Sequence, residues 1–256
     1  MKKWIALISA AFFSQILFPQ ALWAADVPAT LQWAQRVELS TPVSGVVRAV
    51  NVEVGDLVKN GQVLLSLDST TYQAGVAETQ SEITRLNAEV EEAKRDLERV
   101  KELYERTIVS TTDLDQAKLR LVKSQSMLAE ARARLRQDQK ALYDTSLRAP
   151  FDAVVVVRQA EPGLSVAAGL KPQMLLTLAR SGEMIARMHL NSPQIDNLKP
   201  GQSVTVVIDG TNYPGMIKTL GLEPIETKEG SVYPVDVLFP VKQPLRAGSP
   251  ALVKLP

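Results

Sequence analysis

Residues 72–143 constrain this chain most strongly: their apolar positions recur every seven residues, and the pattern then runs again in reverse. The stretch lacks Pro, has one Gly (Gly75), and is rich in Ala, Glu, Lys, Arg, Gln and Leu, a composition that favours helix. One series is Val76, Ile83, Val90, Leu97 and Tyr104, with Thr79, Leu86, Ala93 and Val100 between them. After a break come Leu114, Leu121, Leu128, Leu135 and Leu142, with Ala117, Ser124, Ala131 and Asp138 between them. A sustained alternation of this kind is the coiled-coil signal. The two sets are mirror images about residue 109, so that Val90 answers Leu128, Leu86 answers Ala131 and Thr79 answers Asp138. Two antiparallel helices folded back near residue 109 place these residues in shared layers. Thr111 or Thr112 is the expected cap of the second helix, Thr112 and Asp115 forming a loose capping box. At ~1.5 Å per residue, arms of about 35 residues reach roughly 50 Å.

Two similar β-rich stretches flank this hairpin. The first runs from Pro42-Val43-Ser44-Gly45-Val46-Val47 through Val54-Gly55-Asp56-Leu57-Val58 to Gly61 and Asp68. The second runs from Pro150-Phe151-Asp152-Ala153-Val154-Val155 through Pro162-Gly163-Leu164-Ser165-Val166 to Gly169 and Leu178. Pro42/Pro150, Gly55/Gly163, Val58/Val166 and Gly61/Gly169 share an offset of 108 residues. Short β-branched runs between Gly turns read as short strands. Neither half is long enough to close a core alone, so the two are expected to pack together and pinch the hairpin between them. Ala153 stands where the first copy has Gly45, and carries a cost there if the turn needs a positive φ.

Beyond Ala179 the pattern becomes strands with polar turns: Met184–Leu190, Ser203–Ile208, Gly215–Leu220, Tyr233–Phe239 and Ser249–Leu255. A short helical link at Ser192–Leu198 has Ser192 as expected cap and Pro193 in the first turn. Such a set predicts a small β-barrel. At the other end, Met1-Lys2-Lys3, the apolar run Trp4–Phe18 and the small Ala24-Ala25 form an export signal, cleaved after Ala24. The alternative is a retained anchor, but a membrane-spanning helix needs ~20 apolar residues and this run is shorter.

Composition narrows the function. Lys+Arg 29 against Asp+Glu 28 gives a net charge of +1, without the basic excess of a nucleic-acid binder. Zero Cys excludes disulfides, thiol catalysis, thiolate zinc sites and a lipid-modified Cys, and a single His leaves little for a His-based centre. Met174, Met184, Met188 and Met216 are scattered through strands and read as core fillers, and His189 as a barrel residue, so no metal site is expected.

The order of parts resembles the periplasmic adaptor family, the membrane fusion proteins of tripartite efflux pumps. Val43–Asp68, the hairpin, Leu147-Arg148-Ala149-Pro150-Phe151-Asp152, Leu198-Lys199-Pro200-Gly201-Gln202 and Leu245-Arg246-Ala247-Gly248 convey the likeness. It implies a mixed α and β, elongated multidomain chain: an antiparallel coiled-coil hairpin inserted in a split lipoyl-like β-domain, then a small β-barrel. The expected divisions are 1–24 for the signal, 25–70 for an N-terminal segment and the first lipoyl-like half, and 71–144 for the hairpin. The second half follows at 145–180 and the barrel at 181–256.

Family members that dock on outer-membrane channels have an Arg, a Leu four residues on and a Ser seven further, at the hairpin tip; Arg99, Leu103 and Ser110 keep that spacing. The resemblance implies a non-enzymatic subunit without cofactor, forming a ring (hexamer or trimer of dimers) between an inner-membrane transporter and an outer-membrane channel. The first-choice transporter is of the resistance–nodulation–division type and the second an ABC transporter. The chain reads as a periplasmic short form, peripheral to the inner membrane and without lipid anchor, lacking the membrane-proximal domain many relatives have. Two readings from other classes compete. A biotinyl or lipoyl carrier needs a modified Lys at the junction of the halves, where this chain has its helices. A coiled-coil scaffold or chaperone explains the hairpin but not the two halves or the barrel.

Overall fold

The computed structural model describes residues 26–169, 172–227 and 230–255. The expected export signal lies outside them. The elements are β1 (Asp26–Trp33), β2 (Arg36–Leu39), β3 (Gly45–Val50), β4 (Leu57–Val58), β5 (Val63–Leu67), α1 (Thr70–Glu105), α2 (Thr111–Asp144), β6 (Ser146–Arg148), β7 (Ala153–Arg158), β8 (Ser165–Val166) and β9 (Leu176–Arg180). They continue with β10 (Glu183–Leu190), α3 (Ser192–Ile195), β11 (Ser203–Ile208), β12 (Thr211–Leu220), β13 (Ile225–Thr227), β14 (Gly230–Pro240) and β15 (Pro250–Lys254). They form two compact units. One holds described residues to Leu31, Ala186–Phe239 and those from Gly248 onward; the other holds Gln32–Ile185 and Pro240–Ala247.

In the second unit α1 and α2 form the antiparallel hairpin in the mirrored register. Ile83, Leu86, Leu128 and Ala131 make its buried cluster, with Val90 and Leu135 against it. Leu86 meets the small Ala131, which lets the backbones approach. One layer beyond this cluster, toward the β-domain, Thr79 donates from Oγ1 to Asp138 Oδ2 at 2.6 Å, so the polar pair in the heptad seam satisfies itself. The outermost layer is looser: Tyr104 is exposed and Leu114 half-buried. The cap of α2 differs from expectation. Ser110, not Thr111 or Thr112, occupies the N-cap and forms a full capping box with Asp113. Asp113 lies three residues on, where its carboxylate reaches back to the Ser110 N–H. Asp115, one turn inside the helix, pairs with Lys118 instead.

The two β-rich stretches form two four-stranded sheets, β2-β9-β7-β4 and β6-β5-β3-β8. Each half lends its short strand to the other half's sheet: Val58 pairs with Ala153, and Val166 with Gly45. The 108-residue offset recurs in individual hydrogen bonds. Gly55 N donates to Val155 O and Gly163 N to Val47 O, both at 2.8 Å. Val47 N donates to Leu164 O at 2.8 Å and Val155 N to Asp56 O at 2.9 Å. The halves are therefore related by a local pseudo-twofold axis and share one core, in which Val47, Leu64, Leu65, Leu67, Val155, Leu175, Leu176 and Leu178 are almost wholly buried. Gly55 and Gly163 both take positive φ, 99° and 90°. Gly45 does not, so Ala153 has no backbone cost at the equivalent place. The helices emerge between β5 and β6, the junction of the halves.

In the first unit, six strands close in the order β10-β1-β15-β11-β12-β14, with β14 returning to β10 and β13 appended to β14. This is the expected small barrel, but its second strand comes from the start of the described chain. β1 pairs antiparallel with β15 from Asp26↔Lys254 to Thr30↔Pro250. The sequence alone assigns residues 26–33 to the segment leading to the first lipoyl-like half. Val27, Ala29 and Leu31 point inward on alternate positions, as a strand with one buried face requires. The link between β10 and β11 is capped by Asn191, whose side chain accepts from Gln194 N, with Ser192 inside the first turn. Among the described residues no helix is long and apolar enough to cross a membrane.

Candidate functional site at the hairpin apex

Arg99, Leu103 and Ser110 all lie within the last two turns of α1 and the turn into α2. Arg99 and Leu103, four residues apart, share a helix face. The Arg99 side chain is 71% exposed, and its guanidinium pairs with Asp96. The other oxygen of Asp96 takes Arg120 of α2 at 3.2 Å. One largely shielded carboxylate thus ties two arginines across the helices and holds Arg99 at the rim of a groove of about 590 Å³. Leu103 is half-buried. Ser110 Oγ accepts from Asp113 N at 3.3 Å and donates to Asp113 Oδ2 at 2.6 Å. The hydroxyl and backbone N–H of Ser110 hold the Asp113 carboxyl below the usual carboxylate range. Ser110 is a helix cap in this chain, whatever else it contacts.

Two apex residues escaped the sequence reading. Thr107 N donates to Tyr104 O and Ile108 N to Leu103 O, both at 2.9 Å, closing α1 in a Schellman motif. The left-handed position of that motif usually holds Gly; here it holds Thr107 at φ 59°, strained for a β-branched residue. The turn then projects Ile108, 65% exposed, at the summit. The signal a sequence reader uses for this motif is a Gly after the last helical residue, and this turn has none.

Elsewhere, no group of three or more His, Asp or Glu side chains among the described residues is placed to hold a metal. Met184 and Met188 are fully buried core residues, whereas Met216 is 48% exposed and fills no core. His189 is exposed on β10.

A two-halved barrel-sandwich domain opened by a long helical hairpin, together with a closed barrel that takes strands from both the first and the last of the described residues, is the architecture of the membrane-fusion adaptors. The chain belongs to the CzcB-like barrel-sandwich hybrid domain family, whose model matches residues 35–175, just over half of it. It is 30% identical over 220 residues to the macrolide export protein MacA of Yersinia pestis, a match covering 79% of this chain and 59% of that protein. The chain therefore spans about three-fifths of that curated relative's length. Among solved structures it resembles the membrane fusion protein Spr0693 of Streptococcus pneumoniae R6, with a TM-score of 0.71, 17% identity, and 90% and 97% of the two chains covered. It also resembles a MacA–MexA chimera bearing the Pseudomonas aeruginosa MexA α-hairpin, with a TM-score of 0.61, 21% identity, and 91% and 79% covered. At those identities the structural likeness is one of fold.

Proposed function

We propose that this protein is the periplasmic adaptor of a tripartite export system, exported by its N-terminal signal and joining an inner-membrane transporter to an outer-membrane channel. The observation that supports this best is the hairpin: a rod of about 50 Å, rooted in the two-halved β-domain, with Arg99 and Ile108 exposed and Leu103 half-buried near its apex. Such a rod suits reach and docking; the role breaks no bond and needs no cofactor. Arg99 supplies a planar fork of donors for carbonyl or carboxylate groups on the channel, and Ile108 and Leu103 the apolar contact beside it. The transporter is proposed to be of the resistance–nodulation–division type, with several adaptor copies arranged in a ring around the export path. The name of the relative from Yersinia pestis makes macrolides the first compounds to assay; an ABC transporter is the alternative partner to test against the same panel.

The test is export by a strain that depends on this chain. Arg99→Asp puts a repelling charge at the docking point, and an Arg anchor at an interface is worth about 2 kcal/mol, or roughly thirtyfold in affinity. Crosslinking between the hairpin tip and the channel should fall by about that factor and drug resistance should drop with it. Unchanged crosslinking and resistance in Arg99→Asp would remove the tip assignment.

A further inference from the structure

The root of α2, where the helix rejoins the β-domain, is strongly basic. From Arg132 to Lys140 it carries Arg132, Arg134, Arg136 and Lys140 against one acid, Asp138. That acid is turned into the seam, where it accepts from Thr79. Arg134 and Arg136 are exposed, and neither has an ion pair or hydrogen bond among the described residues. Arg136 lines a groove of about 500 Å³ between α2 and the Pro42–Val43 segment, with Ala133 and Ala141 completing its apolar wall. A second cavity of about 350 Å³ adjoins it, sharing Pro42 and Asp144, and is lined by Tyr143 and Arg148.

Arg148 is incompletely satisfied there. Its Nη1 donates to Gly61 O at 3.0 Å, but its Nε is buried without a hydrogen-bond partner, and Nη2 makes no hydrogen bond among the described residues. A buried N–H without an acceptor is costly. Nε and Nη2 form the edge by which a guanidinium holds a carboxylate side-on, with two parallel hydrogen bonds. The ring of Tyr143, 58% exposed, lies over this guanidinium with its centroid 5.3 Å from Cζ; Lys140 Nζ stands 5.8 Å from the same centroid. A π face attracts both cations but is a weak substitute for an acceptor oxygen. Asp144 is the one carboxylate lining the two cavities among the described residues, and it pairs with Lys140. Beside Asn60, Lys59 and Asp152 offset each other at 3.1 Å. The C-terminal end of α2 adds partial negative charge, yet Arg136 and Arg148 are left without a counter-anion among the described residues.

We propose that the two cavities form one binding site for a small amphipathic carboxylate. The exposed Tyr143 ring swings aside, and the carboxylate takes the free Nε–Nη2 edge of Arg148. The apolar body lies along Pro42, Val43 and Ala141, and Arg136 supplies the positive field that draws the anion in. The combination of a few placed polar groups with an apolar wall is what small-molecule sites share. A ligand seated there touches both α2 and the first lipoyl-like half, so its binding also stabilises the root of the hairpin.

The probe is benzoate, compared with neutral benzamide, with acetate and with inorganic phosphate, each added to the purified exported chain at constant ionic strength. Binding is read by titration calorimetry, and by scanning calorimetry as a rise in melting temperature with occupancy of the folded state. Benzoate should bind and raise the melting temperature. Acetate, without the apolar body, should bind about tenfold more weakly, phosphate no better than acetate, and benzamide should leave the melting temperature unmoved. Arg148→Lys keeps the charge and loses the fork, and should weaken benzoate about tenfold. Arg136→Gln should also weaken it, whereas Arg134→Gln, the same loss of charge outside the two cavities, should not. That last pair of exposed positions decides the matter even where Arg148→Lys fails to fold. Equal losses in Arg134→Gln and Arg136→Gln would mean a diffuse basic surface and overturn the proposal. So would benzamide matching benzoate, phosphate binding more tightly than benzoate, or no binding of benzoate at all. None of these measurements involves export, so the adaptor reading stands or falls separately, on Arg99→Asp.

Discussion

Thr107 and Ser110, three residues apart, shape the apex in opposite ways. Thr107 stores strain in a left-handed turn, and Ser110 relieves the open end of α2 by accepting from Asp113 N. Ser110→Ala should lower the stability of the hairpin by about 1 kcal/mol, read as a lower melting temperature of the helical circular-dichroism signal. The pH dependence follows from Asp113. Its carboxyl is held below the ordinary value in the folded chain by the Ser110 hydroxyl and N–H. A depressed folded value means stability that is present above the unfolded value near 4 and lost as pH falls through the folded one. The melting difference between the wild type and Asp113→Asn should therefore be constant from pH 8 to about 5 and shrink below about 4. A difference that grew toward low pH would contradict the capping box. The cap position was only partly legible in the sequence. Ser110, Thr111 and Thr112 all suit an N-cap chemically, and only the path of the chain out of the Thr107 turn selects the first of them.

Among the elements, the hairpin was the most legible and the pairing of the halves the least. Heptads mirrored about residue 109 fix which residues share a layer, because both helices must keep one apolar seam facing the other. Thr79 and Asp138 meet where the mirror put them. The 108-residue offset showed that the halves are alike, but not that β4 and β8 cross over to the opposite sheet, since a two-residue strand has no pattern to read. The duplication also supplies its own comparison for the glycines. Gly55 and Gly163 occupy positive φ, and an added Cβ would meet nothing within 4 Å, so only backbone strain opposes a side chain. Gly55→Ala and Gly163→Ala should each cost about 1 kcal/mol in urea denaturation. Gly45 lies outside the left-handed region and its twofold mate is already Ala153, so Gly45→Ala should cost distinctly less. Equal losses at all three positions would argue against this reading of the turns.

For the molecule as a whole, the decisive events are closures that join distant segments. The barrel closes where β14 returns to β10, and there Arg187 Nε and Nη2 reach Asp236 Oδ1 and Oδ2 at 2.7 and 2.8 Å. The Asp236 side chain is only 14% exposed. Arg187→Met strands that carboxylate and should cost about 1–2 kcal/mol, while Arg187→Lys, which keeps the charge but loses the two-pronged geometry, should fall between. Urea denaturation of the full chain distinguishes them, and a neutral Arg187→Met would show the seam to be held by its strands alone. By itself the sequence determined what periodicity and composition encode: two antiparallel helices in a set register, a duplicated β-domain around them, several barrel strands, and a resemblance to the adaptors strong enough to name their family. Only the tertiary structure decided that β1 belongs to the barrel, that the halves exchange strands, and that Ser110 serves α2 while Ile108 crowns the apex. The division has one physical cause. A heptad or an alternating strand states which of its faces is buried, but not which distant segment will bury it, and that choice is made when the whole chain closes its cores at once.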